Sequence, residues 1–125
     1  VEPENFDDTA RSLAAGHRVG HPKAEPSICD ALQTPIPGEL TFPINQRVLK
    51  GALGISDQEA AEAVRYAFRT LKLVVEPGGA AALAAVLAGK VETRDRTTAV
   101  VLSGGNVDPA LFAEIIEDRF TGAAA

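Results

Sequence analysis

Residues 97–102, "TTAVVL", form an unbroken run of strand formers that stops at Ser103-Gly104-Gly105-Asn106. A continuous apolar strand is expected in the middle of a parallel sheet covered on both faces. Ala80 to Ala88 makes a matching demand. It is rich in the strongest helix former and apolar nearly all round, so other elements must cover it. The two segments restrict the chain to a layered α/β architecture, with helices between two or three strands. Such a sheet needs more strands than this sequence offers. Besides 97–102, only "KGALGI" at 50–55 and Leu73 to Val75 read as extended. Residues 1–125 are therefore expected to form a single partial domain, the downstream portion of a larger one. The lack of any methionine, including at position 1, supports the same expectation.

The helices are better marked. One is expected from Asp7 to Ala15, with Asn5, Asp7 or Asp8 capping its start and Gly16 ending it. Residues 17–40 are irregular, punctuated by Pro22, Pro26, Pro35, Pro37 and Gly38. A short helix is expected from Thr41, with Phe42, Val48 and Leu49 inward. Ser56 to Glu59, "SDQE", matches a capping box, in which serine and glutamate each satisfy a free amide. Behind it Ala61, Val64, Phe68 and Leu71 recur at helical spacing, predicting a helix from Ser56 to Lys72. Pro77 suits the first turn of the alanine-rich helix, and Gly89 stops it. A last helix, Pro109 to Arg119, should turn Leu111, Phe112, Ile115 and Ile116 inward. The tail "TGAAA" is of low complexity.

Several functions are disfavoured. Seventeen acids against twelve lysines and arginines leave a net charge of −5, which argues against nucleic acid or anionic lipid as the main partner. No run of about 18 apolar residues would span a membrane. The single cysteine, Cys29, excludes an internal disulfide and fits a reducing, cytoplasmic compartment; it reads as a small buried thiol. His17 and His21 lie four apart, but after a glycine and before a proline they do not form a helical zinc pair. "VEPENFDD" gathers Glu2, Glu4, Asp7 and Asp8, either as oxygen ligands for a hard cation or as a solvated helix start.

The serine at the strand end carries the most information. Glycines there let backbone turn with positive φ or approach a ligand, and the carboxyl ends of parallel strands are where open α/β sheets bind ligands. "SGGN" alone is equally a strand-to-helix turn. Glu76, before Pro77, is either a site carboxylate or a residue near a positive helix end.

The segments taken together are more specific. "VEP", "DD", "ICDAL", "PGELTF", "SDQE", "VVEPGGAAALAA" and "VVLSGGNVD" occur in this order. The chain resembles the C-terminal part of the serine/threonine dehydratases, pyridoxal-phosphate enzymes of the tryptophan synthase β-subunit type, and is similar also to the serine racemases. The resemblance implies the three-layer αβα large domain of fold type II. It implies that Ser103 meets the pyridine nitrogen of pyridoxal phosphate, that Gly104 keeps the strand end bare beside the ring, that Asn106 holds the turn, and that Glu76 lies close to the ring. A neutral serine leaves that nitrogen unprotonated and the ring a poorer electron sink, favouring prompt loss of a β-leaving group. Ala31 stands where relatives often have glycine against the cofactor. Glu2, Asp8 and the carbonyl of Phe6 match a magnesium or calcium site of some relatives.

The lysine that carries the cofactor lies, in the family, in a Ser-x-Lys-x-Arg-Gly segment. None occurs here; Lys23, Lys50, Lys72 and Lys90 stand in other contexts, and the long glycine run for the phosphate is missing too. No catalytic residue is thus expected in this chain, which should be inactive alone. The intact enzyme, expected to be a homo-oligomer, would take a small hydroxy amino acid, threonine or serine, to a 2-oxo acid and ammonia. The alternatives are a racemase and a non-catalytic module that binds a small molecule.

Overall fold

The chain's second and third residues pair with residues fifty-two positions on. In the computed structural model, strand β1 (Glu2–Pro3) runs parallel to β2 (Gly54–Ile55), with Glu2 opposite Gly54 and Pro3 opposite Ile55. The amide of Glu2 prolongs the pairing to the carbonyl of Leu53 at 2.9 Å. β2 lies within the expected "KGALGI" segment; β1 was not expected, because glutamate and proline are poor strand formers. The structure describes residues 1–21 and 25–122. Pro22 and Lys23, in the irregular stretch, and the last three residues of "TGAAA" lie outside the described residues.

Helix α1 (Asp8–Ala15) ends as expected at Gly16, with φ 74°. Its start is capped differently. None of Asn5, Asp7 and Asp8 caps it; the Glu2 carboxylate accepts the amides of Thr9 (3.2 Å) and Ala10 (2.8 Å). An acid six residues upstream thus satisfies donors that a helix start leaves free. Helix α2 (Phe42–Val48) buries Phe42. Val48 and Leu49 do not turn inward: they are 69% and 42% exposed, because this short helix is covered only on its Phe42 side.

The expected capping box is present at α3 (Asp57–Tyr66). Ser56 Oγ accepts the Glu59 amide at 3.2 Å, and the Glu59 carboxylate accepts the Ser56 amide at 2.7 Å. The helix widens into a π-helical turn, Ala67–Leu71, and ends at Lys72 in the left-handed conformation. Ala61 and Val64 are buried as expected, whereas Phe68 and Leu71, on the widened turn, keep part of their surface exposed.

Helix α4 (Pro77–Leu87) is the centre of the core. It packs chiefly on α3, alanine against alanine: Ala60, Ala61, Ala63 and Ala67 are buried on one side, Ala80, Ala81, Ala84 and Ala85 on the other. Small side chains let the helix axes approach closely, so backbone atoms supply much of the packing. Helix α5 (Pro109–Ile116) inserts the fully buried Ile115 and stops short of the expected Arg119. Its last carbonyls are taken by α3: Arg65 donates to Ile115 at 2.9 Å and Arg69 to Ile116, while both arginines pair with Asp118.

The strand expected at 97–102 is the main departure. Among the described residues neither this segment nor Leu73 to Val75 has a ladder partner. A strand is held by hydrogen bonds to neighbours, and none is available here; Val74 (54%) and Val101 (72%) accordingly remain exposed. Just beyond the two segments, the Glu76 amide donates to the Gly104 carbonyl at 2.9 Å.

Candidate functional site

That bond is half of a clasp. Glu76 sits in extended conformation just before α4. Its amide holds Gly104, and its carboxylate accepts the amide of Asn106 at 2.9 Å. One residue thus pins both ends of the 104–106 turn. The fit leaves no room for side chains. A Cβ on Gly104 would come within 2.4 Å of Glu76 Oε1, and a Cβ on Gly79 within 2.7 Å of both the amide nitrogen and the carbonyl oxygen of Gly104. Gly79 also accepts the Ser103 amide, at 3.4 Å. Gly79, the second glycine of "EPGGAA", therefore opens the first turn of α4 to the backbone of the 103–106 segment. Asp108 completes the turn by capping α5, accepting the amides of Ala110 and Leu111 at 2.9 Å each.

Four of the expected residues, Glu76, Ser103, Gly104 and Asn106, thus come together. Ser103 is exposed, and its hydroxyl has no partner among the described residues. Ala31 lies on a single 3-10 turn, Asp30–Leu32, against the start of α4: its Cβ would be 3.5 Å from one placed on Gly78. Between that turn and the clasp lies a cavity of about 210 Å³, lined in part by Ser27, Asp30, Glu76, Asn106 and Asp108. The arrangement offers a neutral hydroxyl at the end of a bare, hydrogen-bonded turn. Such a donor suits a neutral ring nitrogen, and Gly104 leaves room for the Glu76 carboxylate that holds the turn.

The expected cation ligands also cluster. Glu2 and Asp8 are both buried, and the ring of Phe6 stacks 6.2 Å from that of His21. Burial, and next the charge of Glu2, push the Asp8 carboxyl above its ordinary range. A buried carboxyl so placed is costly to ionise, a cost that a bound cation would offset. Phe6 ends the 3-10 turn, Glu4–Phe6, between β1 and α1. His17 faces the Ala15 carbonyl at 3.0 Å, while His21 Nε2 lies 3.4 Å from Asp7, so the two histidines serve different partners. Among the described residues no three His, Cys, Asp or Glu side chains form a metal-binding group.

Cys29 is fully buried, and burial pushes its thiol up to about 12. Sequence reasoning missed two participants. Gly79 was given no role, though a second glycine at an alanine-rich helix start is a signal of close approach. Lys90 gave no signal: its ammonium reaches the Gly54 carbonyl (2.9 Å), Glu59 (2.7 Å) and Glu4 (3.6 Å), tying β2 and the turn after β1 to α3. No described helix is long and apolar enough to cross a membrane.

Residues 1–104 match the family described as "Pyridoxal-phosphate dependent enzyme". The chain is 36% identical over 117 residues to the L-threo-3-hydroxyaspartate ammonia-lyase of a Pseudomonas species, covering 94% of this chain and 36% of that protein. It is 35% identical over 121 residues to the serine racemase of Dictyostelium discoideum, again 36% of that protein's length and 93% of this chain. Among solved structures, the threonine deaminase of T.th. superposes with a TM-score of 0.78 at 42% identity, over 86% of this chain and 38% of that one. The chain thus spans little more than a third of the length of these relatives. The architecture is the expected α/β one, shared with pyridoxal-phosphate enzymes of fold type II. A matching family pattern over five-sixths of the sequence makes this chain a member of the pyridoxal-phosphate dependent enzyme family.

Proposed function

We propose that this chain is the downstream portion of the large domain of a pyridoxal-phosphate-dependent ammonia-lyase, cytoplasmic and homo-oligomeric when intact. The substrate class is a small hydroxy amino acid, threonine or serine, and the products are a 2-oxo acid and ammonia. The observation that carries this reading is the Glu76 clasp, which spends an amide and a carboxylate to present the Ser103 hydroxyl free of other partners. Names of relatives, ammonia-lyase and threonine deaminase among them, support the reaction class. Pyridoxal phosphate, when bound, supplies an electron sink for charge developing at the substrate's α-carbon.

The roles of this chain's residues follow. Ser103 hydrogen-bonds the ring nitrogen without protonating it. Gly104 and Ala31 border the ring, and Glu76 and Asn106 keep the turn from shifting. None of these groups moves the α-proton; a lysine outside these 125 residues is assigned that step, so the chain alone is inactive. Glu2, Asp8 and the Phe6 carbonyl hold magnesium or calcium, with waters filling the remaining positions. Racemisation is the second reading, favoured by the serine racemases among the relatives.

The test uses the full-length protein, with cofactor affinity measured by absorbance and products from L-serine and L-threonine separated. The reading expects 2-oxo acid from both substrates or from one, and D-serine as the main product only if the second reading holds. Ser103→Ala should fold and bind cofactor more weakly, since a neutral hydrogen bond contributes about 0.5–1.5 kcal/mol. Ser103→Asp places a carboxylate by the nitrogen, raises its pKa and should slow elimination relative to racemisation. Unchanged affinity and unchanged partition in Ser103→Asp would show that Ser103 does not face the ring. No turnover of either amino acid by the wild type would favour a non-catalytic binding module.

A further inference from the structure

Far from the clasp, beside β2 and the end of α4, a second cleft has chemistry that the proposed reaction leaves unused. It measures about 340 Å³, within the range of small-molecule sites. Three cations line it, Lys50, Lys90 and Arg96, although acids outnumber bases in the chain. Lys90 is held by Glu59 and the Gly54 carbonyl, which fixes the position of its ammonium. Lys50 and Arg96 are exposed and make no ion pair among the described residues. The single acid in the lining, Glu92, is turned to its own loop, accepting the Arg94 amide at 2.9 Å. The wall between the cations is apolar: Ala52, Leu53 and Val91, of which Leu53 and Val91 pack on the hydrophobic core. A Cβ on Gly51, also in the lining, would meet nothing within 4 Å, so the backbone there is open to approach.

We propose that this cleft binds a phosphate monoester, with Lys50 and Arg96 on the phosphate and the organic part against Leu53 and Val91. Arginine offers a planar fork matched to phosphate oxygens, and lysine a mobile point charge; two such groups that lack a carboxylate partner are available to an incoming anion without breaking an existing pair. The apolar wall distinguishes this from a site for a bare anion, because it is in place to cover a carbon skeleton. The inference does not rest on the Ser103 reading, since no residue is shared with the clasp.

The experiment is a calorimetric titration of the full-length protein, loaded with cofactor so that the cofactor's own phosphate subsite is filled. The probes are phenyl phosphate and inorganic phosphate. Phenyl phosphate is expected to bind several-fold more tightly than inorganic phosphate. The double variant Lys50→Gln, Arg96→Gln should weaken it at least tenfold, as expected for losing two charge-assisted hydrogen bonds. Arg47→Gln, which removes one charge from exposed α2, should leave it within twofold. These substitutions fall on exposed side chains, and equal melting temperatures confirm that the fold is kept. Unchanged affinity in the double variant, an equal loss in Arg47→Gln, or equal affinity for the two probes would each overturn the proposal.

Discussion

Gly78 and Gly79 are neighbours in the first turn of α4, yet alanine should act in opposite directions at the two. In a helix, alanine is favoured over glycine by roughly 0.5–1 kcal/mol. At Gly78 nothing opposes that gain: the added Cβ would lie 3.4 Å from the Leu32 side chain and 3.5 Å from Ala31, ordinary contact distances. Gly78→Ala should therefore be neutral or stabilise by up to about 0.5 kcal/mol, the first turn realising only part of the propensity. At Gly79 the Cβ would lie 2.7 Å from two backbone atoms of Gly104 and 3.2 Å from its Cα. Backbone cannot rotate aside as a side chain can, so the 103–106 turn must move. That displacement strains the clasp and weakens the Glu76-to-Gly104 and Ser103-to-Gly79 bonds. Overpacking costs about 1–3 kcal/mol and each weakened bond up to about 1 kcal/mol, so after the propensity gain a net loss centred on about 2 kcal/mol is expected. The assay is denaturant unfolding of the full-length protein, read as a change of midpoint at constant slope. Cofactor affinity should fall in Gly79→Ala and hold in Gly78→Ala, because only the former shifts Ser103. A Gly79→Ala protein as stable as wild type would refute the close approach. Loss of stability without loss of cofactor affinity would separate the turn from the cofactor.

Three further outcomes are expected. Magnesium or calcium should raise the melting temperature of the full-length protein, by about 2.7 kcal/mol of stabilisation at a hundredfold excess over the dissociation constant, and Asp8→Ala should abolish the rise. Because the buried Asp8 carboxyl titrates above its ordinary range, cation binding should weaken as pH falls through that raised value, a loss that thermal shift across mildly acidic pH would record. Cys29, buried and with its thiol at about 12, should resist alkylation at pH 8 in the native protein and react on unfolding, which mass spectrometry reads directly. Burial opposes ionisation of Glu59, but hydrogen bonds from Lys90 and Ser56 outweigh it and hold the carboxyl below its usual range. Its contribution is present above the unfolded carboxylate value of about 4.3 and is lost as pH falls through the lower folded value. Glu59→Gln should flatten that acid limb of the stability curve, and an unchanged limb would show that the Lys90 pair contributes nothing.

Local chemistry was legible wherever a residue acts on its own neighbourhood. The box at Ser56 and Glu59, the stop at Gly16 and the start at Pro77 all follow from groups within a few residues of one another. The cap of α1 was not, because its donors are satisfied by Glu2 across an intervening turn. The inward faces of α2 were misjudged for a related reason. An apolar residue shows that something could cover it, and only the packing of other elements shows that Val48 and Leu49 lack a cover. The segment at 97–102 presents the same limit at larger scale. Its composition demands neighbours on both sides, while a ladder also needs strands to pair with, and the described residues supply none.

The site was legible in its residues and not in its architecture. "VEPGG" and "LSGGN" marked Glu76 and Ser103 separately, and each segment alone was equally a helix start or a turn. The structure shows why neither stands alone. Glycine at 104 is required by the Glu76 carboxylate, glycine at 79 is required by the Gly104 backbone, and the carboxylate in turn holds Asn106. Changing any one member releases the others, so the two segments form a single device divided between two parts of the chain. A neutral hydroxyl binds weakly and directionally, and a loose turn would let it point elsewhere at little cost. Rigidity supplied by backbone contacts is what allows so weak a donor to select one orientation. The clasp also explains why the charged group of the pair, Glu76, is drawn into holding amides, leaving the uncharged Ser103 as the group free to meet a ligand.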